Sequence, residues 1–421
     1  MRILVPTMPH KLTPLIPARL RRIEPALRAR WLRLAVRAWG GGGGPLPDWN
    51  ARPFNVLFVR YDKLGDMIMC SGVLREIVRA HPTISIDVLT TPANAPALAN
   101  LPFVREVIAH ERGRRGGFAG VAYRLKHGRY DAVIDGLVWR PSVSSYTTKL
   151  MIASRARWRI GSAGRPNDFV YNVPVTPPAT RYSEHHVDHL ARLASPFGLG
   201  AADGDWRPEI VLTEAERADA EARWSAISEC GARVLVNLSA GHPERRWPDD
   251  RFAEVLGHLR QRVPNAKIAI IALPVEQSSA EHLADRAGGV AVIPSVRELF
   301  ALVARSDLVI TPDTAVAHAA SAFARPTLAL LRRRAEYHIW VPYRTPGRNA
   351  FGDKEDTIAG LPVDRVIDAL DELLDEQMLI TTGYQVAGDS LSATLGCHPE
   401  ERSDEGSALI QSSADPSLRS G

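Results

Sequence analysis

The stretch 308-LVITPDTAVAHAASAFARPTLALL-331 decides the fold. Leu308 to Thr311 is a short apolar run ending at Pro312, and reads as a strand. Asp313 and Thr314 are residue types whose side-chain oxygens accept from the unpaired N–H groups of a helix start. Ala315 to Phe323 reads as a helix of small residues, Pro326 stops it, and Thr327 to Leu331 is a second apolar run. A helix that opens at the carboxyl end of a parallel strand turns its N–H groups and its positive dipole end into the crevice there. That makes an anion site. His318 lies one helical turn beyond Thr314, so both can face one ligand. Two readings of these residues stand side by side: an anion seat, or a plain cap with a packed histidine.

Working outward, 57-LFVRYDKLGDMIMCSGVLREI-77 repeats the scheme of strand, glycine turn and helix. From Phe54 onward strands and helices alternate, which argues for parallel sheets covered on both faces. Asn55 to Val59, Ser85 to Leu89, Val104 to Ala109 and Ala132 to Asp135 read as strands of a first domain, with Arg157 to Ile160 as a further one. Arg233 to Leu238, Lys267 to Ala272 and Val290 to Ile293 read as strands of a second. Glu214 to Ile227, Asp249 to Arg262 and Pro362 to Met378 read as helices. The sequence 185-HHVDHLARLASPFGL-199 reads as a histidine-rich helix. His185 and His189 stand one turn apart, the spacing of a metal pair, but no nearby carboxylate completes a set. The divisions expected are an extension over 1–52, domains over 53–208 and 209–379, and a polar, disordered tail over 380–421.

Hydrophobic residues make 45% of the 421, enough for two sizeable cores. No run of about 18 apolar residues exists to cross a membrane. Cys70, Cys230 and Cys397 are far apart, form no metal-ligand spacing and suit a reducing cytosol. Residues 1–52 hold ten basic residues against two acidic ones, while the whole chain carries +5, so the remainder is slightly acidic. The basicity thus lives in the extension, and a nucleic-acid partner for the body is not indicated. Leu20, Ile23, Leu27, Trp31 and Leu34 recur at spacings of three and four among arginines. Such a basic amphipathic helix over 16–39 suits an anionic membrane surface. Packing of the same helix on the enzyme body is the other reading. No long uncharged core follows the charges, so it is not a signal peptide. Gly40 to Gly44 make a joint. In 112-RGRRGG-117, Arg112, Arg114 and Arg115 are read either as a solvated loop or as contacts for an anionic acceptor.

Arg60, Asp62, Leu64, Gly65 and Asp66, with Asp313, Thr314, Ala315 and His318, resemble the two motifs of glycosyltransferase family 9. These are the bacterial heptosyltransferases of lipopolysaccharide core assembly. The resemblance implies a GT-B fold, two doubly wound Rossmann-like α/β domains facing across a cleft. It implies transfer with inversion of a sugar, most simply heptose from ADP-heptose, onto a lipid-linked oligosaccharide acceptor such as a lipopolysaccharide core. It implies no cofactor and no metal, and a cytoplasmic enzyme, with the extension on the inner face of the inner membrane. Residue by residue, it makes Asp66 the catalytic base, for which the residues alone allow a helix N-cap before Met67. It gives Arg245 a catalytic and donor-binding role. Ser239, Glu276, Asp313, Thr314, Ala315 and His318 fall on the donor side, and Arg60 and Gly65 on the acceptor side. Arg245 stands where the family usually has lysine, which exchanges a point charge for a fork. Ala315 stands where it usually has glycine, and its methyl crowds the backbone's approach to phosphate.

Other classes share this sheet type. One is another nucleotide-sugar enzyme, such as one with a different donor or an epimerase. Another is a dinucleotide-dependent oxidoreductase, against which stands the lack of a G-x-G-x-x-G turn after the first strand. A third is a non-catalytic glycan-binding relative.

Overall fold

The structure, a computed structural model, describes residues 29–38, 43–111, 117–138, 141–180, 182–228 and 230–386. In chain order the first half runs α1 (29–38), β1 (Phe54–Val59), α2 (Leu64–Ala80), β2 (Ile84–Thr90), β3 (Val104–Ala109), α3 (Gly117–His127), β4 (Ala132–Asp135), α4 (Ser145–Ala153), β5 (Trp158–Ser162), β6 (Val173–Val175) and α5 (His186–Ala191). The second half runs α6 (Glu214–Ile227), β7 (Arg233–Asn237), α7 (Asp249–Arg262), β8 (Lys267–Ile271), α8 (Gln277–Ala287), β9 (Val290–Val292), α9 (Val296–Ala304), β10 (Leu308–Pro312), α10 (Ala315–Ala322), β11 (Thr327–Leu331), α11 (Arg334–Tyr337), β12 (Gly347–Phe351) and α12 (Val363–Val386).

Each half forms a six-stranded sheet, in the orders β3-β2-β1-β4-β5-β6 and β12-β11-β10-β7-β8-β9. Every strand pairing is parallel. The two orders are the same one, read from opposite edges. In both, the order reverses beside the first strand, between β1 and β4 and between β7 and β10. Ligands of doubly wound sheets bind in the crevice that this reversal opens at the strands' carboxyl ends. This is the GT-B arrangement that the sequence implied.

The apolar runs become strands because helices cover both sheet faces, so β4, β8, β10 and β11 are buried along their whole length. One hydrophobic core crosses the boundary: Val56, Met67 and Leu74 of the first half share it with Leu235, Phe300 and Ala319 of the second. Polar bonds add to the seam. Tyr343 Oη donates to Asp188 Oδ1 at 2.5 Å, and His185 Nε2 lies 2.9 Å from the Val341 carbonyl.

Several expectations need correction. α2 begins at Leu64 with Lys63 as N-cap, so Asp66 lies inside the first turn and is not the cap. The histidine-rich helix stops at Ala191 and tightens into a 3-10 turn over Arg192–Phe197, where Pro196 cannot supply the N–H that a longer α-helix needs. His185 caps α5, its ring accepting from Val187 N, and its other nitrogen is taken up at Val341, so it does not serve as half of a metal pair. β6 and β12 escaped the reading of the sequence. α12 runs on to Val386, past the expected start of a disordered tail at residue 380. Residues 387–421, Arg112, Arg114, Arg115 and the Leu20, Ile23 and Leu27 part of the stripe lie outside the described residues. What is described of that stripe is two-sided. α1 buries Leu32, sets Val36 against the first domain and lays Arg33 over the Phe169 ring, while Trp31 and Leu34 are 71% and 49% exposed. No helix among the described residues is long and apolar enough to cross a membrane.

Candidate active site

The two switch-point helices meet at their first turns. A β-carbon on Gly65, the second residue of α2, would stand 2.7 Å from His318 Cδ2 and 3.3 Å from Ala315 Cα of α10. Glycine is therefore required at 65 by close approach across the seam. Two positive helix ends converge here.

On the first domain's side, Arg60 leaves the end of β1 and is only 1% exposed. Its Nε and Nη2 donate to the two oxygens of Asp62 at 2.7 and 2.8 Å, and its Nη1 donates to the Gly136 carbonyl at 2.6 Å. Nη2 also stands 3.2 Å from Asp66 Oδ1. Arg60 was expected to face an acceptor; burial instead makes it the post that holds both carboxylates. The Asp66 side chain is 17% exposed, with His186 Nε2 3.7 Å from it. Burial pushes its pKa up to about 6; Arg60 and Lys63 pull it down, and Asp62 and Asp313 raise it. Burial first, then Arg60, keeps His186 well below its usual range, so that ring is neutral at pH 7.

On the second domain's side, Asn237 at the end of β7 donates through Nδ2 to Thr311 Oγ1 and Thr314 Oγ1, both at 3.0 Å. Thr314 Oγ1 in turn accepts from Val316 N, so it caps α10 as expected. Ser239 Oγ accepts from Leu273 N at 2.7 Å and donates to Glu276, whose other oxygen accepts from Arg246 Nε at 2.9 Å. These residues line the carboxyl ends of β7 and β8. Arg245, on a 3-10 turn over Pro243–Arg245, places Nη1 3.2 Å from both the carbonyl and Oδ2 of Asp313. His318 is buried, and burial, then Arg245, brings its pKa down to about 4. It meets a ligand as a neutral hydrogen-bonding ring, not as a cation.

The residues singled out from the sequence thus assemble at one place, with Ser239 and Glu276 toward β8 and Asp66 across the seam. Two more belong to it. Lys63 is exposed at the head of α2. Partial burial lowers its pKa first, then Arg245 and Arg332, while Asp66 and Asp313 act the other way. Arg332, just beyond β11, is 8% exposed. Lys63 sits inside the first motif and could have been found there; Arg332 is hidden in the run Arg332-Arg333-Arg334.

Comparison with known proteins fits this arrangement. Residues 119–346 match glycosyltransferase family 9 (heptosyltransferase), a span that holds Arg245, Glu276, Asp313 and His318 and begins beyond Asp66. The lipopolysaccharide core heptosyltransferase OpsX of Haemophilus influenzae is 21% identical over 298 residues, covering 68% of this chain and 81% of its own. Lipopolysaccharide heptosyltransferase 1 of Pseudomonas aeruginosa is 27% identical over 293 residues, 65% of this chain and 78% of its own. Among solved structures, a glycosyl transferase family 9 protein from Veillonella parvula gives a TM-score of 0.67 at 18% identity, over 79% of this chain and all of that one. The E. coli heptosyltransferase WaaC with ADP gives 0.58 at 20% identity, over 76% of this chain and 98% of that one. At such identities the structures speak for the fold alone.

Proposed function

The chain belongs to glycosyltransferase family 9 (heptosyltransferase), and from that premise we propose that it moves heptose, with inversion, from ADP-heptose onto a lipopolysaccharide core or related lipid-linked glycan. One observation carries the reading: a carboxylate raised to about 6, Asp66, faces a cation-lined helix start across a closed seam. Asp66 takes the acceptor hydroxyl proton as the new bond to the anomeric carbon forms. The bond from that carbon to the diphosphate oxygen breaks, and its electron pair leaves on the diphosphate. Arg245, the positive end of α10 and the neutral His318 meet that charge. Ser239 and Glu276 hold the nucleoside side, where on this reading the carboxylate accepts from a ribose hydroxyl. Gly65 lets the two helix starts approach, which brings Asp66 to the donor side, and Arg60 orients Asp66. The choice of donor and acceptor leans on relatives: the E. coli protein holds ADP, and the H. influenzae protein is a lipopolysaccharide core heptosyltransferase.

A thermal-shift panel of ADP-, UDP- and GDP-sugars tests this. ADP-heptose is expected to raise the melting temperature most, and to do so equally in EDTA, because fixed cations replace a divalent ion. A preference for another nucleotide sugar, or a shift that vanishes on chelation and returns with magnesium, would overturn the respective half of the proposal.

The lipid-linked acceptor gives the extension a use. α1 is docked by Leu32 and Val36, and presents Trp31 and Leu34 outward from the end of a basic segment. On this reading both enter an anionic bilayer's interface, and their exposure supports it. Trp31→Ser with Leu34→Ser is expected to weaken binding to anionic vesicles by about tenfold, with the fold unchanged, since each apolar side chain contributes on the order of 1 kcal/mol at an interface. Co-sedimentation unchanged by the pair of substitutions would remove the membrane from the proposal.

A further inference from the structure

Among the described residues Arg332 has no carboxylate partner. Its Nε is enclosed with no hydrogen bond, and its guanidinium lies 4.0 Å over the Tyr337 ring. The still more deeply buried Arg60 has Asp62 and Asp66, and the adjacent Arg333 has Glu336 and Glu355. Arginine cannot shed its proton, and an unpaired buried charge is costly. A largely buried arginine with no carboxylate beside it, at a ligand crevice, therefore points to an anion supplied from outside.

Its place identifies the anion. Pro312 pairs with Leu330, and Asp313 N donates to the Leu330 carbonyl at 3.1 Å. Arg332 thus stands level with the start of α10, one strand further from β7. Asp313, the carboxylate at that helix start, is already held by Arg245. Lys63, exposed at the head of α2 in the other half of the molecule, lies within electrostatic reach of Arg245, Asp313 and Arg332. Three cations then face two carboxylates, and Asp66 carries its full charge only above about pH 6. That leaves one positive charge with Asp66 ionised and two with it protonated, a surplus that an anionic phosphate balances.

We propose that Arg332, with Lys63, binds the sugar-proximal phosphate of a nucleoside-diphosphate donor, beyond the phosphate that Arg245 holds. The proposal rests on the donor reading given above. Along the sheet, Glu276 and Ser239 stand at β8 and β7, Arg245 and Thr314 at β7 and β10, and Arg332 at β11. A donor laid with its nucleoside at Glu276 extends its second phosphate toward β11. That phosphate receives the electron pair when the bond to the anomeric carbon breaks, so a rigid fork and an ammonium there act where charge develops. No proton moves in this contact.

Calorimetric titration of ADP and AMP into the full chain tests it. Arg332→Met is expected to weaken ADP by about tenfold or more, the order expected for a charge-assisted pair, and to leave AMP within about twofold. Lys63→Met should act in the same sense, and Arg332→Lys should recover part of the loss. The melting temperature of Arg332→Met is expected to hold or rise, because an uncompensated charge has gone. Equal weakening of ADP and AMP, or no weakening of ADP, overturns the proposal. Should the wild type bind neither ADP nor UDP nor GDP, it is the donor reading that fails. Pyrophosphate against orthophosphate then carries the comparison: loss of the pyrophosphate preference in Arg332→Met is expected, and its retention overturns the role of Arg332.

Discussion

Asp66→Asn is expected to lower turnover by about two orders of magnitude or more, the range that a positioned general base supplies. The variant is nearly isosteric, and Arg60 keeps its two bonds to Asp62, so the local frame stays in place. Asp62 has both oxygens engaged, whereas Asp66 has only longer contacts, 3.2 Å to Arg60 and 3.7 Å to His186, and retains some exposure. It is the carboxylate of the pair still able to accept a proton. In the wild type, kcat/KM should fall as pH drops through about 6, where the carboxylate of Asp66 takes up a proton. The stability effect has the opposite sense. The folded chain holds this proton more tightly than the unfolded one, so Asp66 contributes stability below about pH 4 that is lost as pH rises through about 6. The Asn variant lacks that loss. Its melting temperature relative to wild type should therefore climb between pH 4 and 7. Pre-steady-state rates settle the chemistry: an Asn variant that keeps most of its single-turnover rate removes Asp66 from the role of base.

The sequence was most legible where local signal and tertiary environment agree. β10 and β11 are apolar because both sheet faces are covered, and α7 over Asp249–Arg262 was read to the residue, as its acidic start and basic end dictate. Thr314 was recognisable as a cap because a threonine oxygen does that work within its own segment. β12 was not legible. Gly347–Phe351 has no apolar run and is a strand because its backbone completes β11; a β-carbon at Gly347 would stand 2.3 Å from the Thr327 carbonyl. The start of α2 misled for a related reason. Lys63 offers no capping oxygen, so Asp66 looked like the start signal, while the helix is set by packing against the second half. At the site, residue types that announce chemistry were found, but their states were not. Whether Arg60 meets a ligand or two aspartates, and which arginine of 332–334 turns inward, depends on partners distant in sequence. The imidazole of His318 is neutral because it is wedged against Gly65 beneath Arg245, a contact between halves that no local pattern encodes.

Arg245→Ala should be the second large effect, lowering kcat/KM by about a hundredfold to a thousandfold, the range for removing one fixed donor from a developing anion. Unlike Asp66→Asn, it should also weaken donor binding, because the guanidinium meets the diphosphate in ground and transition states alike. The loss has two parts. The cation is gone, and Asp313, buried and 3.2 Å from Arg245 Nη1, is left without its counter-charge at the edge of the phosphate site. That stranded carboxylate repels the donor and costs stability of its own. The two parts separate in a double-mutant cycle. Asp313→Asn alone should disturb binding less than Arg245→Ala. Adding it to Arg245→Ala should recover part of the donor affinity, since the repulsion disappears while the missing cation does not return. Arg245→Lys should retain much of the binding, as a point charge reaches the same phosphate without the fork. A donor dissociation constant unmoved by Arg245→Ala would mean that the guanidinium serves only to hold Asp313, and the charge that meets the diphosphate would then have to come from Arg332, Lys63 and the start of α10.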